Sequence, residues 1–191
     1  MAIEVLIVDD RAVVREGLKV LLGAADGVSV IGDVGTAASA LDAVAVCPPD
    51  VLLLGLDLGA EDGLSILQRL PALSPETRTL VLAGFPEHGR HAAAVLAGAR
   101  GLVGRDRPPE VLLEAIRKVH AGETWFDPDL LDSTPRRALG AAQRPPDPDA
   151  KTVDCPGERE REIVGLVAEG LGDAGTGARL GIERTVRNRS G

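Results

Sequence analysis

Two short stretches decide the fold: Ile3-Glu-Val-Leu-Ile-Val-Asp-Asp10 and Val51-Leu-Leu-Leu-Gly-Leu-Asp-Leu58. Both are nearly unbroken apolar runs with acid at or near their ends. Such runs are strands buried on both faces, as in parallel sheets. Around them the period changes. Val14, Leu18, Leu21 and Leu22 share a helical face, and Val28–Val34 reads as a strand. Ala37–Cys47 is an Ala-rich helix stopped by Pro48-Pro49. Leu64–Leu70 reads as a short helix, Arg78–Leu82 as a fourth strand, His91–Ala97 as a fourth helix and Gly101–Val103 as a short fifth strand. A fifth helix opens at Pro108-Pro109, where a missing N–H leaves nothing unpaired, and carries Val111, Leu112, Ala115, Ile116 and Val119 on one face. Five strands alternating with five helices predict an α/β fold with a five-stranded parallel, doubly wound sheet. Ligands of such sheets sit beyond the carboxyl ends of the strands. That singles out Asp9, Asp10, Gly55, Asp57, Ala83, Gly84, Gly104 and Arg105.

Composition narrows the function classes. Of 191 residues, 45% are hydrophobic and 2% aromatic, so the core is aliphatic. With Tyr absent and only Phe85, Trp125 and Phe126 present, base stacking on aromatic platforms is disfavoured. The net charge of −8 disfavours binding of polyanions by the chain as a whole. Cys47 and Cys155 lie far apart in no paired motif, which gives neither a disulfide framework nor a zinc site. The N-terminus has no signal-peptide pattern, and no stretch is long enough to span a membrane, so a cytoplasmic protein without membrane contact is expected.

The alternation fails near Gly122. Pro128, Pro135, Pro145, Pro146 and Pro148 mark a linker, and Glu158–Glu169 is helical again. We divide the chain into an α/β domain (1–122), a Pro-rich linker (123–155) and a helical segment (156–191). Within Arg179–Gly191, four Arg face a single Glu, so this end is the one suited to approach phosphates. Gly170, Gly172 and Gly175 match a dinucleotide fingerprint, but a helix precedes them where the fingerprint needs a strand.

The motifs Ile7-Val-Asp-Asp-Arg11, Leu56-Asp-Leu-Gly-Ala-Glu-Asp-Gly63, Gly98-Ala-Arg-Gly101 and Pro108-Pro-Glu-Val-Leu-Leu-Glu-Ala-Ile-Arg117 resemble the receiver domain of two-component response regulators. Ala121-Gly-Glu-Thr-Trp-Phe126 resembles the receiver end of the NarL/FixJ branch, with LuxR-type output. The resemblance implies a CheY-like, flavodoxin-like fold. It also implies phosphorylation of an Asp beside a Mg2+ ion held by an acidic pair and the acceptor carboxylate. Asp9 and Asp10 match the acidic pair. The acceptor position, eight residues before Gly63, is Gly55. The switch hydroxyl position is Ala83, and the conserved-type Lys position of the family holds Arg105. Asp57 lies two residues past the acceptor position, on the same strand face but about 6–7 Å farther along. With one carboxylate gone, the leading expectation is no cofactor, and the alternative is Mg2+ held by Asp9 and Asp10, the remnant of the family's acidic pocket. Arg105 is expected to supply the missing positive charge by pairing with Asp9 or Asp10.

Pro156–Leu171 resembles the first helix and turn of a LuxR-type helix-turn-helix. Thr185-Val-Arg-Asn188 resembles the opening of its recognition helix, which implies Thr185, Arg187, Asn188 and Arg189 as DNA-contacting candidates. Gly172-Asp-Ala-Gly-Thr-Gly177 interrupts the middle helix, and the sequence ends one turn into the recognition helix. A truncated, partly disordered remnant is therefore expected, because such helices are stabilised mainly by packing.

The leading expectation is a non-enzymatic, atypical response regulator acting in transcriptional regulation, not phosphorylated at the usual position. Its expected partners are DNA, a sensor kinase, an intact response regulator or a second copy of itself. Alternatives are a receiver-fold module binding protein or a small ligand at the emptied pocket, a phosphohydrolase using Asp9 or Asp10, or a decayed, frameshifted regulator.

Overall fold

The computed structural model describes residues 1–84, 88–127 and Leu130. The elements are β1 (Ile3–Val8), α1 (Ala12–Gly23), β2 (Val28–Val34), α2 (Ala37–Val46), β3 (Val51–Gly55), β4 (Asp57–Leu58), β5 (Glu61–Asp62), α3 (Leu64–Leu73), β6 (Arg78–Ala83), α4 (His88–Leu96), β7 (Gly101–Gly104), α5 (Pro109–His120) and β8 (Trp125–Phe126). The main sheet has the order β2-β1-β3-β6-β7-β8, and every pairing in it is parallel. This is the doubly wound receiver architecture.

Alternation along each strand divides the core into two layers. Leu6, Val8, Leu52, Leu54 and Val81 pack against α2, α3 and α4 through Leu41, Val44, Ile66, Leu67 and Val95. Val5, Ile7, Val51, Leu53 and Leu80 face the other way, toward Leu22 of α1 and toward Leu112, Ile116 and Val119 of α5. Each of those three α5 side chains contributes about 1.5–3 kcal/mol by leaving water. The acidic C-terminal strand ends are thus mounted on an aliphatic slab.

Three departures from the expected element plan have local causes. The strand expected from Val51 to Leu58 stops at Gly55, because the chain folds back on itself as the β4–β5 hairpin. Gly59 sits in its turn with φ +72°. Gly63 closes the loop: its N–H donates to the Leu56 carbonyl at 2.9 Å. A Cβ on Gly63 would lie 2.7 Å from the Gly55 carbonyl oxygen, so only glycine fits. Helix α3 runs through Pro71 to Leu73, with the Ser74 N–H still donating to Leu70 O at 2.8 Å. Trp125 and Phe126, assigned to the linker from sequence, add a sixth strand beside β7. Two residues are too few to show a period. They are held by Lys118 Nζ, 4.8 Å above the Trp125 ring. Asp127 and Leu130 are also buried, and Arg107 grips the Asp127 carboxylate through both Nε and Nη2. Cys47, buried at the end of α2, is disulfide-bonded, where separation in sequence had suggested no such bridge; its partner lies outside the described residues.

Candidate functional site

Asp9 is the first residue beyond β1, and its side chain is 0% exposed. Its N–H donates to Val34 O at 3.2 Å, which anchors it to β2. Oδ1 accepts from the Arg11 N–H at 3.0 Å and from Arg11 Nε at 3.3 Å. Oδ2 lies 2.9 Å from Arg105 Nη2. That contact is an ion pair rather than a directional hydrogen bond, and Oδ2 accepts no other bond among the described residues.

Arg105 follows β7. Its N–H donates to Ala83 O at 3.0 Å and its Nε to Leu82 O at 3.3 Å, so its stem is fastened over the end of β6. From there the guanidinium crosses the end of β3 to reach β1. Gly55 lies beneath this bridge. A Cβ built on Gly55 would sit 2.7 Å from Asp9 Oδ2 and 2.8 Å from Arg105 Nη2. The place where any side chain would leave Gly55 is therefore filled by the ion pair. A buried carboxylate without a partner is costly, and Arg105 offsets that cost.

The other candidates separate. Asp10 is more open to solvent and meets Arg11 Nε only at 3.9 Å. Asp57 is exposed in β4, opposite Asp62. The expectation that it continues the β3 face fails because the strand has already ended. Ala83 is buried at the end of β6 and brings no hydroxyl. Of the space suggested for a small ligand, the part beside Gly55 holds Asp9 Oδ2 and Arg105 Nη2. Thr185, Arg187, Asn188 and Arg189, with the rest of 156–191, lie outside the described residues.

Several supporting groups carry no motif and escaped the sequence reading. Arg15 Nη1 donates to Asp9 O at 2.8 Å and Asp10 O at 3.3 Å, while its Nε donates to Asp33 Oδ2 at 2.9 Å. Lys19 Nζ reaches Asp33 Oδ1 at 2.9 Å and Glu16 at 2.7 Å. Only the four-residue step from Arg15 to Lys19 on one helix face hinted at a shared partner. Glu61 Oε2 accepts the Ala37 N–H at 2.5 Å, capping α2 and pinning the hairpin. Arg90 Nη2 ties that hairpin to α4 through Leu56 O at 2.8 Å and Asp62 Oδ1 at 2.7 Å.

Asp33 gives this shell a pH dependence. Burial pushes its carboxyl pKa up, but hydrogen bonds and charge from Lys19 and Arg15 outweigh burial and hold it below the usual 3.8. A carboxyl depressed on folding stabilises the native state above its unfolded pKa. That contribution begins to fall as pH approaches 3.8 from above, and it vanishes below the folded value. Acid unfolding of the Asp33→Asn variant, followed by circular dichroism, should show a weaker dependence on pH in this window. An unchanged slope would mean that the Arg15–Asp33–Lys19 cluster adds nothing.

The residues do not suit a divalent cation. Among the described residues, no group of three or more His, Cys, Asp or Glu is placed to hold one. Oxygen-rich coordination is what Mg2+ needs, and here a guanidinium stands against Asp9 instead. None of the helices among the described residues is long and apolar enough to cross a membrane.

Comparison with known proteins matches this fold. Residues 5–117 match the family model described as response regulator receiver domain. The chain is 33% identical over 187 residues to the DNA-binding transcriptional activator DevR/DosR of Mycobacterium tuberculosis, covering 97% of this chain and 84% of that protein. A LuxR family DNA-binding response regulator from Silicibacter pomeroyi is 33% identical with TM-score 0.56, covering 66% of this chain and 97% of the other. A LuxR-family two-component response regulator from Aurantimonas sp. SI85-9A1 shares the fold with TM-score 0.66 at 24% identity, over 73% of this chain and 99% of the other. With an all-parallel receiver sheet, a family match across most of the described residues and a relative aligned along nearly the whole chain, this protein belongs to the response regulator receiver family, with LuxR-type relatives.

Proposed function

We propose that this chain is an atypical response regulator, a pseudo-receiver in which a fixed ion pair replaces phosphorylation and metal binding. The observation that carries the reading is the filled space at Gly55: a Cβ there would meet Asp9 Oδ2 at 2.7 Å and Arg105 Nη2 at 2.8 Å. A phosphoryl group attached at this position needs a carboxylate, a cation beside it and room for three oxygens. Gly55 supplies no carboxylate, and Arg105 fills the room. The receiver then has one arrangement at the strand ends rather than two exchanging ones. Output follows from how much protein is present, or from what it binds, not from phosphoryl transfer at the usual Asp position.

The relatives suggest where that output goes. DevR/DosR is described as a DNA-binding transcriptional activator. By this likeness we assign the protein to transcriptional regulation in two-component signalling, with DNA contacted through Thr185, Arg187, Asn188 and Arg189. A second copy, an intact regulator and a sensor kinase are the protein partners that fit. The division at residues 122 and 155 remains part of this proposal.

The test is to treat the purified chain with Mg2+ and a small phosphoryl donor such as phosphoramidate, then measure intact mass and amide NMR shifts. No phosphoryl adduct is expected, and millimolar Mg2+ should leave the signals around Asp9 in place. An adduct mapped to Asp10 or Asp57, or a saturable Mg2+ shift at Asp9, would overturn the reading.

A further inference from the structure

The described residues contain a second concave site, at the opposite end of the sheet from Asp9. It is a cleft of about 220 Å3 between the end of α3, the start of β6 and the turn after α4. Leu70 and Pro71 form one wall and Gly98 part of the other, with Arg78, Thr79 and Arg100 among the lining residues. No carboxylate lines it among the described residues. In a chain of net charge −8, a cleft lined by two arginines and, among the described residues, by no carboxylate is a place where an anion can approach.

Two details point to a ligand with oxygen atoms. The Arg78 side chain has no ion pair among the described residues, although its backbone N–H is fixed to Asp50 O at 3.0 Å. The Thr79 side chain is buried, at 2% exposure, and its hydroxyl has no hydrogen-bond partner. Buried polar groups are nearly always bonded, so an orphaned hydroxyl in a cleft lining calls for an explanation. The two arginines also feel each other: burial first, then the charge of Arg78, push the Arg100 guanidinium below its usual value. An anion beside Arg78 relieves the repulsion between the two guanidinium groups. The backbone around the cleft is tied to the sheet: the Arg100 N–H donates to Thr79 O at 2.8 Å and the Trp125 N–H to Arg100 O at 3.1 Å.

We propose that this cleft is a binding site for a small oxyanion, a carboxylate or phosphate group carried by a compact molecule. Arg78 supplies the charge, Thr79 supplies a hydroxyl donor, and Leu70 and Pro71 take the apolar part. The volume admits only a small molecule. Because the cleft lies between α3, β6 and the α4–β7 turn, an occupant would tie α4 to the sheet without using the strand ends.

The test is an amide NMR titration of the full chain with inorganic phosphate and, separately, succinate. Saturable shifts at Thr79, Gly98 and Arg100 with either anion are expected. Phosphate alone would assign phosphorylated ligands, and succinate alone would assign carboxylic acids. Arg78→Ala should weaken the binding about tenfold, as loss of one charge-assisted contact does. Thr79→Val keeps the shape and should weaken it while raising the melting temperature of the free protein. Two results would overturn the proposal: no saturation at millimolar anion, or shifts that survive unchanged in Arg78→Ala and so mark diffuse surface attraction.

Discussion

Replacing Arg105 by Ala should be among the most damaging single substitutions at the strand ends, although Arg105 keeps 24% of its side-chain surface in water. The reason lies with its partner. Asp9 is wholly buried, and Arg105 Nη2 is the cation 2.9 Å from Oδ2. Breaking a buried pair from one side leaves a charge without compensation, at a cost of about 3 kcal/mol. The melting temperature should fall by about 10 °C. Arg11 limits the loss, because it holds Oδ1 independently. Asp9→Asn in the Arg105→Ala background should recover much of the stability, since the amide is neutral. The four proteins form a cycle, and chemical unfolding should give a coupling of 1 kcal/mol or more, in the range about 0.5–3 for groups in contact. Additive effects would mean that the pair is incidental. The Asp33→Asn variant is a control, because its cluster touches Asp9 only through backbone oxygens.

This expectation rests on burial, which the sequence does not display. The adjacent acids Asp9 and Asp10 read alike as letters. In the structure they differ: Asp9 is buried at the end of β1, and Asp10 faces solvent. The sequence could therefore name Arg105 as a cation seeking an acid, but not say which acid it would find. The fold was far more legible. Apolar runs of four to seven residues, punctuated by Pro and Gly, carry most of their meaning locally, and the five main strands and five helices follow from them. What escaped is what depends on close approach between distant residues. The β4–β5 hairpin exists because Gly63 packs against Gly55 and Leu56. Strand β8 exists because two residues find the free edge of β7. The cleft at Arg78 and Arg100 joins three elements, and no spacing in the chain brings its lining together.

The second large effect is a gain. If the Asp9–Arg105 pair is what silences the site, then restoring the receiver pattern at Gly55 alone should fail. Gly55→Asp introduces a Cβ into space already held by Asp9 Oδ2 and Arg105 Nη2, and it adds a carboxylate that Arg105 can pair with instead of a metal. That variant should be folded, less stable than the parent by about 1–3 kcal/mol through overpacking, and unresponsive to Mg2+. Adding Arg105→Lys changes the physics. A lysine is a compact charge on a flexible stem, free to leave the space that the planar guanidinium fills. Asp9, Asp10 and the new carboxylate then form an oxygen-rich set suited to a hard divalent ion. Ala83→Thr supplies a hydroxyl at the end of β6. The triple variant should show Mg2+-dependent stabilisation, about 1.4 kcal/mol at ten times the dissociation constant. With phosphoramidate it should form an acyl phosphate on residue 55, the carboxylate oxygen bonding to phosphorus as ammonia leaves. Intact mass before and after base treatment reads the adduct, and melting curves with and without Mg2+ read the metal. A triple variant that is folded yet inert to both would place the cause outside Gly55, Ala83 and Arg105. The hairpin would then be the next element to examine, because Glu61 and Arg90 hold it fixed against α2 and α4 and any rearrangement beside an occupied site would have to move it.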